Sequence, residues 1–354
     1  MRNYIKGKGA QHKVTNRFEC FSHEIRDDFK NFLHVENEAI EHPTSFTEVF
    51  PKTIVNKVNS PDVGMQFSLN PYQGCEHGCV YCYARNSHEY WGYGAGLDFE
   101  SKILVKKNAP ELLEKKLKSK HWKAVPIALS GNTDCYQPIE KKLKITRSLL
   151  SIFMKYRHPV GIITKNSLIL RDLDILSELA KNNLISVYLS ITSLQESTRR
   201  LLEPRTATIE KRLKTIEQLT SAGIPVSVMM APIIPALNDH EILPLSKEIA
   251  KRGAIRVGYT IVRLNGAIDQ VFTKWLENTM PDRKEKILHQ IQSCHDGHLN
   301  DSQFGRRMKG SGILANQIHQ QFEIARKRYF SNQVFINLNC DLHAQYKDGQ
   351  LSLF

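Results

Sequence analysis

Apolar residues fall along this chain in two alternating rhythms. Short dense runs recur at Met65–Leu69, Val125–Leu129, Val160–Ile163, Ile185–Ile191, Val226–Ala231 and Arg256–Ile261, and each predicts a strand. Between them apolar residues step by three and four, the period of a helix with one buried face. Ile139, Leu143, Thr146, Leu149, Leu150 and Phe153 form one stripe, with Pro138 in the first turn. Leu173, Leu176, Leu179 and Ala180 form the next. Ile209, Leu213, Ile216 and Leu219 form a third, opened by Thr208 as N-cap and closed at Gly223 before Pro225. Ile242, Leu245 and Ile249 form a fourth. Strand–helix alternation of this kind predicts an α/β fold with a parallel sheet and helical crossovers.

The ends of the chain keep a different pattern. Residues 1–60 are polar and mixed, with Phe18, Phe21, Phe29, Phe32 and Leu33 as a short amphipathic segment. They predict an arm or small subdomain packed on the main body. Residues 61–270 carry the repeating unit, 271–345 predict a helical extension, and 346–354 a tail. With 354 residues, 41% of them hydrophobic, the chain can bury one large core or two small ones. Its best apolar stretch, Ile224 to Leu237, is broken by Pro225, Pro232 and Pro235. It falls short of the ~20 residues that cross a bilayer, so a soluble protein without membrane contact is expected.

Charge narrows the choice of partner. The net charge of +13 suggests a polyanion, because lysine and arginine neutralise phosphates and release counterions. Residues 102–123 hold eight lysines against Glu111 and Glu114. Lys141, Lys142, Lys144 and Arg147 group on one helix, and Arg306, Arg307, Lys309 and Arg326, Lys327, Arg328 form two more groups. Nucleic acid is the expected partner; a basic face that only aids solubility is the alternative.

Three cysteines carry the chemistry. Cys75, Cys79 and Cys82 stand in C-x3-C-x2-C spacing within Asn70-Pro71-Tyr72-Gln73-Gly74-Cys75-Glu76-His77-Gly78-Cys79-Val80-Tyr81-Cys82-Tyr83. Three thiolates hold three irons of a [4Fe–4S] cube and leave the fourth open. A structural zinc site is the other reading, but it needs a fourth ligand and no later C-x2-C or H-x3-5-H completes one. Seven cysteines is an odd count for a disulfide framework, and Met1–Gly7 has no apolar leader, so a reducing cytoplasm is expected. Cys294-His295-Asp296-Gly297-His298 reads as a surface loop rather than a metal site.

The cysteine loop, with Tyr81 before its third cysteine, resembles the signature of the radical S-adenosylmethionine (SAM) superfamily. The resemblance implies a partial (β/α)6 TIM-type barrel, a [4Fe–4S] cluster, SAM as cofactor and an external electron donor. It also implies reductive cleavage of SAM to a 5′-deoxyadenosyl radical, which takes a hydrogen atom from substrate. Active groups then sit at the C-terminal strand ends. The second strand ends in Ser130-Gly131-Asn132-Thr133-Asp134-Cys135-Tyr136-Gln137-Pro138, where Asn132 and Thr133 are implied for the SAM amino group. The stretch departs from the Gly-Gly-Glu type motif found there in many relatives, and a helix-capping polar turn is its other reading. Lys165 is implied for the SAM carboxylate, and Ser190 or Thr192, expected on one strand face, for the ribose. Arg205 is implied as a carboxylate clamp and Ala231, before Pro232, for the adenine.

Pro51–Lys57, the cysteine loop, Thr133–Pro138, Thr164–Asn166 and Leu202-Glu203-Pro204-Arg205-Thr206 look like the spore photoproduct lyase-like branch, over roughly residues 50 to 265. The resemblance implies chemistry on nucleic acid of a DNA-repair kind, with Cys135 as a hydrogen-atom donor; a small buried residue is the alternative for Cys135. Tyr72, Tyr81, Tyr83, Tyr90, Trp91 and Tyr93, with Arg85 and His88 among them, either stack on bases or line the cluster pocket. The terminal Gln350-Leu351-Ser352-Leu353-Phe354 looks like the peptide that docks bacterial repair proteins on the DNA sliding clamp, and implies a bacterial source. Other readings are radical chemistry on a peptide, RNA or small molecule, or a metal-stabilised nucleic-acid-binding protein with no activity.

Overall fold

A computed structural model describes residues 4–19, 43–333 and 337–347. The tail peptide Gln350–Phe354, Cys20, and most of the amphipathic segment (Phe21, Phe29, Phe32, Leu33) lie outside the described residues. In chain order the strands are β1 (Ser45–Val49), β2 (Val55–Lys57), β3 (Phe67–Leu69), β4 (Tyr72–Gln73), β5 (Lys102–Lys106), β6 (Ile127–Leu129), β7 (Val160–Thr164), β8 (Ile185–Ser190), β9 (Val226–Ile233) and β10 (Arg256–Ile261). The main sheet runs β10-β9-β8-β7-β6-β3-β2. Its strands pair in parallel from β3 to β10, and β2 adds an antiparallel edge on β3. The six parallel strands are the six runs read from sequence. The sheet stays open, so the fold is a partial barrel.

Alternation within each strand sorts side chains between two environments. In β7, Val160 and Ile162 are fully buried against the helices, while Ile163 faces the interior. In β8, Ile185, Val187 and Leu189 take the helix side. The helices Leu173–Lys181, Ile209–Ser221 and Ile242–Lys251 match the predicted stripes. Thr208 caps the second of these by accepting from the Lys211 amide at 3.4 Å. The stripe after Pro138 differs from expectation. It is split into Glu140–Leu143 and Ile145–Lys155 by Lys144, which adopts φ +55°.

Sequence periodicity missed the second sheet, β1-β5-β4, in which β1 runs parallel and β4 antiparallel to β5. Its centre, β5, lies in the lysine-rich stretch, where Ile103, Leu104 and Val105 are buried between Lys102 and Lys106. The following helix Ala109–Lys118 buries Leu113 and Leu117 and turns its lysines outward. Later helices span Ile268–Thr279, Lys284–Ser293, Gly312–Tyr329 and Asp341–Lys347. Among the described residues no helix is long and apolar enough to cross a membrane.

Candidate functional site

The C-terminal ends of the parallel strands converge on one cavity of about 420 Å³. The cysteine loop forms its wall after β3. Gly78 makes the turn between Cys75 and Cys79 with φ +66°, a conformation that favours glycine. Behind the loop, the fully buried Arg85 donates to the Cys79 carbonyl from Nε (3.0 Å) and Nη2 (2.9 Å) and pairs with the fully buried Glu100. Glu100 also accepts the backbone amides of Gly9 (3.0 Å) and Ala10 (2.7 Å). The segment around Gly9 therefore lies as a strap across the loop. A Cβ at Gly9 would stand 1.7 Å from the Gly78 carbonyl oxygen, so only glycine allows this approach.

Cys75, Cys79 and Cys82 all face the cavity and are all free thiols. Burial pushes the Cys75 thiol well up, and the Cys79 thiol up to about 12. Such thiols become good ligands when a metal takes their protons. Three sulfurs on one loop, turned to one space and backed by buried cationic and amide groups, fit a cluster bound by three cysteines. Among the described residues, no three His, Cys, Asp or Glu side chains gather closely enough for a single metal ion.

Six of the candidate cofactor and aromatic residues meet the cysteines on the cavity wall: Tyr81, Tyr83, Asn132, Lys165, Ser190 and Ala231. Lys165 continues the inward alternation of Ile163. Burial alone would lower its ammonium, but the Cys79 thiol and the Glu203 carboxylate raise it. The Tyr81 hydroxyl donates to Glu203, which is fully buried. Desolvation opposes ionisation of Glu203, yet Arg212 and Lys165 pull it down to about 2. Asp134, also on the wall, contacts His77 Nδ1 at 3.2 Å and accepts the Lys165 amide at 2.8 Å. Against desolvation, His77 and the backbone amides of Lys165 and Tyr136 draw it down to about 2.

Thr133, Thr192, Arg205 and Cys135 do not line the cavity. Thr133 donates to the Tyr72 carbonyl at 2.6 Å. Thr192 does not share a strand face with Ser190, because β8 ends at Ser190; its hydroxyl donates to Glu203 at 3.0 Å. Arg205 turns to the N-terminal segment, donating from Nε to the Gly7 carbonyl at 3.0 Å. Cys135 is fully buried in the main core and its backbone amide donates to Ser130 Oγ at 2.9 Å. Of the aromatic group, Tyr72 is buried, whereas Tyr83 and Tyr90 are exposed.

Sequence reasoning missed Glu203, Asp134, Arg263 and the strap as parts of this site. Glu203 and Asp134 stood within motifs read from the sequence, Asp134 between Thr133 and Cys135 and Glu203 two positions before Arg205. The strap offered Lys6-Gly7-Lys8-Gly9-Ala10, in which two glycines among lysines mark close backbone approach.

The radical SAM superfamily model matches residues 69–249. An uncharacterised protein of Mycobacterium tuberculosis is 33% identical over 241 residues, covering 67% of this chain and 71% of its own. An uncharacterised protein of Methanocaldococcus jannaschii is 33% identical over 236 residues, covering 67% of this chain and 84% of its own. In fold, the chain is similar to spore photoproduct lyase complexed with dinucleoside spore photoproduct, with TM-score 0.62, 14% identity, and coverage of 83% and 82%. A lyase mutant with bound SAM and the same dinucleoside gives TM-score 0.59 at 15% identity. From its cysteine loop, its partial barrel and these matches, the chain belongs to the radical SAM superfamily.

Proposed function

We propose that this protein is a radical SAM enzyme acting on nucleic acid, with DNA as the favoured substrate. The observation that carries the reading is the meeting of Cys75, Cys79 and Cys82 with Lys165, Asn132 and Ser190 on one cavity wall. When bound, a [4Fe–4S] cluster and SAM supply reductive cleavage to a 5′-deoxyadenosyl radical, the hard chemistry that belongs to the cofactors. The three cysteines hold the cluster. Lys165, kept protonated by Glu203 and Cys79, pairs with the SAM carboxylate. Asn132, Ser190 and the Ala231 backbone offer hydrogen bonds to its amino, ribose and adenine parts.

Tyr81, Thr192 and Arg212 orient Glu203, and Glu203 in turn orients Lys165. Thr133 steadies the Tyr72 carbonyl and Arg205 the strap, each from behind the site. Cys135, buried in the core, has no role in this mechanism. The net charge of +13 and the exposed Tyr83 support a nucleic-acid substrate. So does the likeness in fold to a lyase solved with a DNA lesion dinucleoside.

Anaerobic reconstitution should give about four irons and four sulfides per chain. With a strong reductant and SAM, 5′-deoxyadenosine should form, and Cys79→Ala should abolish it; undiminished turnover in that variant rules out the cysteine assignment. An oligonucleotide deuterated at its lesion should pass label into 5′-deoxyadenosine, because the radical takes its hydrogen atom from substrate. 5′-Deoxyadenosine free of label across a panel of deuterated damaged DNAs would turn the reading toward another substrate class.

A further inference from the structure

The cavity has a second end. At the far edge of the sheet from the cysteine loop, β10 leads into Val262 and Arg263, which line the cavity with Arg307 and Met308. The 299–310 segment lies along this edge: the Ile261 amide donates to the Met308 carbonyl at 2.9 Å. From the other edge, after β2, Ser60 reaches the same space. Arg307 bridges the two edges. It pairs with Asp62, donates from Nη2 to Ser60 Oγ at 2.7 Å, and covers the Phe304 ring with its guanidinium 4.2 Å from the centroid. Asp62 also accepts the Gly305 amide at 2.6 Å. This contact closes the open side of the partial barrel.

Charge on the wall is lopsided. Lys165, Arg263 and Arg307 face Asp134 as the sole carboxylate among the described lining residues, and Asp134 is already held by His77. Lys165 lies near the cysteines; the two arginines lie at the other end of the sheet. Among the described residues, the side chain of Arg263 donates to the Asp301 carbonyl (3.1 Å). Two guanidinium groups on one wall, one held by a backbone carbonyl and one by an exchangeable carboxylate, suit an oxyanion with several acceptor oxygens.

We infer that Arg263 and Arg307 form a phosphate-binding clamp at the open side of the barrel, and that Asp62 holds Arg307 until a substrate phosphate displaces it. Resting on the proposed nucleic-acid reading, the phosphate is a backbone phosphodiester and the reacting nucleoside lies inward, toward the cysteines. Asp62 acts as an internal competitor. Its removal therefore improves binding, which a purely structural ion pair does not do. In support, burial and the neighbouring Arg307 lower Arg263, as expected for two cations awaiting a shared anion.

The test is fluorescence anisotropy of labelled decathymidylate on the anaerobically reconstituted full chain with SAM present. Arg263→Gln and Arg307→Gln should each weaken binding about tenfold, the scale of a lost charged hydrogen bond. Asp62→Asn, which keeps the acceptor for the Gly305 amide, should tighten it severalfold. Lys247→Gln with Lys286→Gln, both exposed and outside the basic groups, should change little. Equal binding by the three cavity variants overturns the clamp, as does weaker binding by Asp62→Asn. Loss of SAM affinity in Arg263→Gln to the same degree also overturns it, since the arginine then serves the cofactor. Failure of the wild type to bind decathymidylate, with inorganic pyrophosphate bound in an arginine-dependent way, keeps the clamp and removes nucleic acid. Tight decathymidylate binding indifferent to all three residues keeps nucleic acid and removes the clamp.

Discussion

Gly9 and Gly78 meet backbone to backbone, and the fit leaves no room for a methyl group. Two acceptors on one carboxylate complete the contact, since Glu100 takes both the Gly9 and Ala10 amides while paired to Arg85. Glu100 and Arg85 are desolvated together, and removing one partner of such a buried pair typically costs about 3–5 kcal/mol. The strap thus reports directly on the cysteine loop. Gly9→Val should lift it, and trypsin should cut at Lys8 or Lys13 about ten times faster than in the wild type. An unchanged cleavage rate would mean that the strap does not depend on this approach. The motif around Gly78 was legible because its cysteines carry the spacing of a chelating loop within a few consecutive residues. Gly9 was not, since its partner is distant in the chain.

Among the elements, the helix Asp341–Lys347 shows how the last described segment is tied to the barrel. His343 Nδ1 lies 2.7 Å from the Tyr156 carbonyl, and its ring meets that of His158 edge-on at 4.9 Å. Trp122 Nε1 donates to His158 Nε2 at 3.0 Å, which requires that nitrogen to be unprotonated. Burial, with His343 adding to it, pushes His158 down to about 3. The folded value lies below the unfolded one of about 6.5. This stabilisation is therefore complete above pH ~6.5 and lost as pH falls toward 3. Between pH 7 and pH 5 His158 should contribute a loss of about 2 kcal/mol in urea unfolding, beside that of the buried His88, and His158→Gln should reduce the slope by that share. An equal slope in that variant would place the acid sensitivity elsewhere.

At the scale of the whole molecule, a net charge of +13 surrounds a cavity whose own wall is cationic. Association with nucleic acid should then depend steeply on salt. For about four phosphate contacts, affinity should fall about a hundredfold between 50 and 200 mM salt. A flat dependence, measured by anisotropy, would leave the basic faces with a role in solubility alone. The outer lysines of Ala109–Lys118 and the inner arginines contribute differently, because only the latter sit where a single phosphate can be held from two sides.

Periodicity and spacing were enough for the six parallel strands, most of their crossover helices and the three cysteines. Each of these signals is local: alternation follows from the backbone repeat, and a chelating loop is contained in a few consecutive residues. Strand-end position, together with the resemblance, selected Lys165, Ser190 and Ala231, which line the cavity. The strap, the second sheet, the Glu203 network and the Arg263–Arg307 end of the cavity became visible only in three dimensions. They join residues up to about two hundred and fifty positions apart, as Asp62 and Arg307 are. Burial, strand ends and long-range charge then decide which polar residue faces the cavity and which supports it from behind. Thr192 illustrates the point: two positions beyond the end of β8, its hydroxyl meets the carboxylate of Glu203 instead of the cavity.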